Sequence, residues 1–320
     1  MNKPKRHHFI PQFYLRYFCR DGYLCVFDRE RNEYRKQPTV HTAVRLNYYT
    51  LELENGESNT EIEEMFSAIE GVTKPIIEKL NGGQPITDEE KYALSLFISL
   101  IESRVPNFHE TTDELTGKVI RNVLGMMFST EEIAKEMLRG YDGDLDDISS
   151  TTAKELYEFV QSDRFQINAT KDYKLETMIR LGYTQATYFS QMNWLICHAP
   201  EKTSFVTTDN PFTLVPPANS KNTYWGGYGV CTVGTLKIIP LSQSICLFMS
   251  DKGDSFIHRE IERDQVRNIN FAVTNNCKGY VFGPDEALVS SLVKKTKVDT
   301  RPWKSSVRVA PIPNTGNPCQ

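Results

Sequence analysis

Three regimes of apolar spacing divide the chain. Up to about residue 58 the apolar residues come in short dense clusters, FIPQFYLRYF, YLCVF and NYYT, set between charged stretches. From Thr60 to about residue 192 they recur at the three-and-four spacing of helices that bury one face. From Trp194 onward they form short β-prone runs, WLICHA, SFVTT, FTLVP, TLKIIPL and SICLFM, divided by Pro, Gly, Ser and Asn.

Within the first regime Pro11 pre-sets the φ of a helical turn, so 11–18 reads as a short helix stopped near Asp21-Gly22. Segment 23–40 reads as two strands around the polar Arg29-Glu30-Arg31-Asn32, a hairpin, and Asn47-Tyr48-Tyr49-Thr50 closes this small β unit. In the second regime Ile62, Met65, Phe66, Ile69, Ile76, Ile77 and Leu80 mark a helix ended by Asn81-Gly82-Gly83. Thr87-Asp88-Glu89-Glu90 caps another that reaches Arg104 and breaks at Val105-Pro106. Further helices are expected over 113–128, 130–139, 151–160 and 171–191, with an acidic loop over 141–147. In the third regime a helix over 260–270, a strand in KGYVFG and a helix over 285–295 follow the β-prone runs. The pattern predicts an α+β fold packed as one compact unit: an N-terminal segment with a β hairpin over 1–58, a helical region over 59–192 and a mixed α/β region over 193–296. Segment 297–320, with Pro302, Pro311, Pro313 and Pro318, is expected to be an extended or mobile tail.

Composition narrows the class. With 320 residues and 39% hydrophobic content the chain can bury a sizeable core. A net charge of -4 argues against a surface that coats nucleic acid throughout, but permits a local basic groove. The seven cysteines, Cys19, Cys25, Cys197, Cys231, Cys246, Cys277 and Cys319, are odd in number and form no CxxC pair, which favours neither a disulfide framework nor a zinc knuckle. Cys25, Cys197 and Cys246 sit in apolar runs and read as core. Arg16 and Arg20 interrupt the opening segment where a secretory leader needs apolar residues, and the longest apolar run, 92–101, falls short of the ~20 residues that cross a bilayer. No membrane partner and a cytoplasmic location are the expectation.

Candidate chemistry begins at KRHHFIPQFYLRYF. Adjacent His7 and His8 point to different sides of a strand or a helix, so both do not readily bind one metal. His8 precedes the helix expected from Pro11, whose N-terminal field, with Lys5 and Arg6, favours neutral imidazole and would suit a phosphate. HHFIP also resembles the first motif of HNH-type metal nucleases, which implies an asparagine and a second histidine such as Asn32 and His41. In TTDNP, Asp209 ends a β-branched strand and Pro211 holds Asn210 out of helical conformation, a place for a metal-binding or histidine-orienting carboxylate, or for an ordinary Asx turn. Glu63 and Glu70 share a helix face, and Arg104 either binds an anion or fastens two helices. His109, His198 and His258 have no evident partners in sequence. The absence of a Gly-rich phosphate loop, GxSxG or HExxH disfavours P-loop NTPases, α/β-hydrolases and zincins.

Taken together, HHFIPQFYLRYF, the hairpin ending in NYYT, IESRVP, FVTTDNP, PLS and the late Asn270 resemble the bacterial domain-of-unknown-function family 4238 over nearly the whole chain. By that resemblance His7, His8, Pro11, Gln12, Arg16, Arg104, Asp209, Asn210 and Asn270 are the family-type positions; TTDNP stands where the family usually reads TSDNP, and His41 has no counterpart. The family implies no established activity, although some relatives look like antiphage defence factors. The leading expectation is therefore a metal-dependent nuclease or phosphodiesterase using Mg²⁺ or Mn²⁺ on nucleic acid. His8, with His7, would activate water or bind metal, Asp209 would bind metal or orient, Asn210 would position, and Lys5, Arg6, Gln12, Arg16 and Arg104 would hold phosphate. The alternatives are a non-catalytic sensor or binding module, in which RHH and TDN are buried staples, and an enzyme acting on a nucleotide such as NAD.

Overall fold

The computed structural model describes residues 6–49, 51–52, 58–59, 61–139, 152–162, 164–217, 228–253 and 256–301. Lys5, Thr50, the acidic loop 141–147 and nearly all of the proline-rich tail lie outside the described residues. The elements run β1 (Arg6–His8), α1 (Gln12–Arg16), β2 (Leu24–Asp28), β3 (Glu33–Gln37), a 3-10 turn (Thr39–His41), β4 (Val44–Leu46), β5 (Leu51–Glu52) and β6 (Ser58–Asn59). Helices follow: α2 (Glu61–Asn81), α3 (Asp88–Arg104), α4 (Pro106–Met127), α5 (Glu131–Arg139), α6 (Ala153–Gln161) and α7 (Lys171–Gln191). The last part comprises β7 (Asn193–His198), β8 (Thr207–Thr208), β9 (Thr213–Val215), β10 (Leu236–Pro240), β11 (Ile245–Ser250), β12 (Phe256–Glu260), α8 (Arg263–Asn275), β13 (Tyr280–Gly283) and α9 (Glu286–Thr296). The fold is α+β.

The chain forms two compact units, one from the described residues of 1–109, 171–223 and 227–305, the other centred on 110–170. In the second, Thr152 starts α6 with a reciprocal capping box to Glu155. Arg121 donates to the Phe165 carbonyl at 2.8 Å and lies over the Phe165 ring at 4.6 Å.

The first unit is organised by two sheets. A five-stranded sheet has the order β12-β7-β11-β10-β9, with only β12 and β7 parallel. A four-stranded antiparallel sheet has the order β3-β2-β13-β8. Both are covered on two faces, which is why their strands read as near-continuous apolar runs rather than alternating ones. Trp194, Ile196, Leu247 and Met249 face the large core shared with α1, α2, α3 and α7, while Cys197, Cys246 and Ile238 face Val266, Ile269 and Val273 of α8. Likewise Leu24, Val26 and Phe282 join the large core, and Cys25, Phe27 and Val281 pack on Val289 and Val293 of α9. Helices α8 and α9 thus each cover the outer face of one sheet, and they pack against each other.

Four local departures from the sequence pattern have physical causes. Pro11 is extended, at φ -54° and ψ 135°, so α1 begins only at Gln12, and His7 and His8 stand in β1, paired with β4, rather than at a helix terminus. Val105-Pro106 is a junction instead of an end: Pro106 needs no N–H partner and opens α4. The strand expected over SFVTT shortens to β8 because Asn270 takes the backbone of Ser204 and Val206, as described below. The helix expected over 260–270 starts at Arg263 because β12 runs to Glu260, and the Gln265 side chain then accepts the Glu262 N–H at 2.8 Å. The start of the expected tail is also packed, with Val298 buried beside α9.

One buried carboxyl sets a pH dependence. Glu102 on α3 faces Gln185 of α7, and burial raises its pKa from 4.5 to about 7, with the Gln185 hydrogen bond opposing. The folded state therefore holds a proton that the unfolded chain releases, so this group's contribution falls as pH rises from 4.5 to about 7 and is lowest above it. Glu102→Gln is expected to raise stability at pH 8 by roughly 2–3 kcal/mol and to change it little at pH 4.5. Urea midpoints at the two pH values check this; equal shifts at both would refute it.

Candidate functional site

The histidine pair is built into an arginine-centred cluster. His7 is buried on β1; its Nδ1 accepts the Tyr49 N–H at 2.8 Å, its ring stacks on Tyr49 at 5.5 Å, and Glu63 Oε1 of α2 lies 2.8 Å from Nε2. The His8 carbonyl accepts from Arg104 at 2.7 Å. The same guanidinium reaches Glu70 at 3.0 Å and Tyr49 Oη at 3.1 Å, and lies 4.1 Å from the Phe66 ring centroid. Arg104 is 5% exposed, and each of its three nitrogens donates to a protein group. It fastens the end of α3 to β1 and α2. Burial, aided by Arg104 and Arg6, lowers the His8 pKa against Thr39 and Glu70, which keeps the imidazole neutral. Its Nε2 is buried and has no hydrogen-bond partner among the described residues.

The TDN turn is held elsewhere. Asp209 follows β8, and its two carboxylate oxygens accept the N–H groups of Lys278 (3.0 Å) and Gly279 (2.7 Å). Burial raises its pKa while these backbone donors, with Tyr280, pull it back. Glycine at 279 eases the approach: a Cβ would sit 3.3 Å from Asp209 Oδ2. Asn210 donates to the Asn276 carbonyl at 3.2 Å, and Asn276 returns the bond to the Asn210 carbonyl at 3.0 Å. The partners of Asp209 thus come from the turn before β13, whereas those of His7 and His8 come from β4's exit, α2 and α3. Asn270, on α8, spends both ends of its amide on one segment, accepting from the Val206 N–H at 3.1 Å and donating to the Ser204 carbonyl at 2.9 Å.

The remaining candidates separate further. Gln12 and Arg16 bind each other at 2.9 Å along α1, a five-residue helix with no N-terminal site to offer. Exposed Arg6 donates to His41 Nδ1 at 3.2 Å, and Asn32 sits at the hairpin tip with φ 52°. His109 packs on Tyr48, and His198 and His258 face each other at 2.8 Å between Nε2 and Nδ1. Among the described residues no group of three His, Cys, Asp or Glu side chains is placed to hold a metal ion.

A different place does have the shape of a site. Between α8, α9 and the segment before β8 lies a cleft of about 290 Å³. From α8 it takes Arg263, Val266, Arg267, Asn270 and Phe271, one helix face; from α9 it takes Leu288, Ser291 and Leu292, and Lys202, Thr203, Ser204, Arg20 and Asp285 complete it. Its only carboxylate among the described residues, Asp285, pairs with Arg20 at 2.6 Å and caps α9. Lys202, Arg263 and Arg267 make no ion pair among the described residues, and Arg263 stands at the first position of α8, the end of a helix dipole that disfavours cations. Lys202 is held in a left-handed conformation, φ 62°, by a turn in which Thr203 bonds back to the Pro200 carbonyl at 2.6 Å. Sequence reading passed over these cations, although the 263, 266, 267, 270, 271 spacing was available to find them.

With this geometry in place, comparison with known proteins assigns a family and nothing finer. The chain belongs to the family described as "Protein of unknown function (DUF4238)", whose model matches residues 6–287. No curated protein and no solved structure matches it. No helix among the described residues is long and apolar enough to cross a membrane.

Proposed function

We propose that this protein is a sensor or binding module for a phosphate-bearing ligand, seated in the cleft between α8 and α9. The carrying observation is the double role of Asn270: it lines the cleft, and with both amide atoms it fixes the Ser204–Val206 backbone, directly after the Lys202–Ser204 turn that also lines the cleft. A family-type residue thereby sets Lys202, Thr203 and Ser204 against Arg263 and Arg267. Guanidinium groups suit phosphate because their paired N–H donors match its oxygens. Lys202, Arg263 and Arg267 are exposed and make no ion pair among the described residues, so their charge is available to an incoming anion. On this reading RHH and TDN are staples, and the antiphage role remains what the family resemblance implies. A metal-dependent nuclease centred on His8, Asp209 and Asn210 draws support from the bare His8 Nε2, but among the described residues no group of three candidate ligands stands beside it.

Pyrophosphate is the probe for this reading. It should bind the full chain by calorimetric titration, more weakly as salt rises, and Arg263→Ala with Arg267→Ala should weaken it by about tenfold or more. Heat of binding that is absent at low salt, or unchanged in the double variant, would defeat the proposal.

A further inference from the structure

Resting on that reading, we infer that the ligand is a nucleoside phosphate, its phosphate held by Lys202, Arg263 and Arg267 and its base lying on the apolar floor made by Val266, Phe271, Leu288 and Leu292. The cleft is too large and too divided for an inorganic anion. Its 290 Å³ is near the lower end of small-molecule sites, ~300–1,000 Å³, against ~30 Å³ for a water. Its walls sort by chemistry along the α8 face: Arg263 and Arg267 toward the start of the helix, Phe271 one turn further on, with Val266 between. A sugar phosphate would satisfy the cations and leave the apolar floor against water or hydroxyls, and an apolar ligand would leave the cations unmet. A flat heteroaromatic base joined to phosphate satisfies both. Phe271 is also electrostatically prepared: the Arg267 guanidinium lies 5.4 Å and the Lys295 ammonium 6.0 Å from its ring centroid. Cations flanking the ring keep positive potential where the base and its phosphate meet. Thr203, Ser204 and Ser291 also line the cleft and bring hydroxyl groups that a ribose could meet.

Calorimetric titration of the full chain with AMP, ADP, adenosine, ribose 5-phosphate and pyrophosphate tests this. The expected result is that AMP or ADP binds about tenfold or more tightly than ribose 5-phosphate or pyrophosphate, and that adenosine binds weakly. Phe271→Ala should weaken the nucleotide about tenfold, the usual scale of a lost base–aromatic stack, and leave pyrophosphate within about twofold. Since Phe271→Ala also thins the packing of α8, Ser291→Trp serves as a second variant: it fills the cleft from α9 and should abolish nucleotide binding. Pyrophosphate binding as tightly as the nucleotides, with both variants indifferent, would overturn the nucleoside assignment and leave the anion cleft standing. Failure of every phosphate compound to bind would overturn both.

Discussion

Arg104→Met should lower the stability of the folded chain by about 3–5 kcal/mol, read as a large drop in the urea midpoint. The wild-type guanidinium is enclosed and meets the His8 carbonyl, the Tyr49 hydroxyl and the Glu70 carboxylate at once. Methionine of similar length fills the volume but leaves the half-buried Glu70 carboxylate without its cation and the His8 carbonyl without its donor, and losing one partner of such a pair costs more than the pair itself contributes. The Phe66 and Tyr49 rings also lose the cation they carry at 4.1 and 5.4 Å. Glu70→Gln combined with Arg104→Met should recover part of the loss, because the stranded charge is then removed. Were Arg104 instead a phosphate ligand, the single variant would melt like the wild type and lose only anion affinity; that outcome would refute the fastening role. Pyrophosphate binding in the cleft should survive any Arg104 substitution that still folds, since Arg104 is no part of it.

The sequence carried the long helices well and the site poorly, for reasons visible in particular residues. Thr87-Asp88-Glu89-Glu90 announced α3 because a capping box is entirely local, with Thr87 and Glu90 answering each other across one turn. The hairpin of β2 and β3 and the full length of α7 were legible in the same way, from apolar periodicity and turn residues. What local pattern does not contain is which distant element spends a polar group. SFVTT reads as a strand on β propensity alone, yet Asn270, 64 residues from Val206, takes the bonds a strand partner would have supplied. His8 was placed at a helix terminus by a proline that proves extended, and with that the reason to expect an anion beside it disappears. Tyr14, which went unremarked, joins α1 to both sheets through Thr207 at 2.9 Å and the Pro240 carbonyl at 2.6 Å. The residues that resemble family 4238 are thus largely those that spend hydrogen bonds across long sequence separations. The cleft cations are invisible to local pattern for the opposite reason: an arginine on an exposed helix face reads as merely solvated, and only the neighbouring helix and turn show that it borders a cleft.

Asp209→Ala distinguishes a staple from a catalytic carboxylate most sharply. Its oxygens satisfy the Lys278 and Gly279 N–H groups at 3.0 and 2.7 Å, inside a turn that brings β13 alongside β8. Alanine removes both acceptors and leaves two part-buried donors without their partner, each costing up to about 1–2 kcal/mol, so the loss should reach roughly 2–3 kcal/mol when the two are taken together. Asp209→Asn keeps the shape and one acceptor but turns an amide N–H₂ toward a backbone N–H, so it should fall between alanine and wild type. Because Asp209 leads directly into the Asn210–Asn276 exchange, Asn276→Ala combined with Asp209→Ala should cost less than the sum of the two singles. A catalytic carboxylate behaves the other way. Its removal relieves a buried charge and commonly leaves stability equal or higher while activity vanishes, so an Asp209→Ala protein that melts at or above the wild-type midpoint would return the TDN turn to the list of reactive sites. The thermal and urea midpoints of these variants therefore decide whether the family's best-marked acidic residue holds the fold or performs chemistry, without any substrate being known.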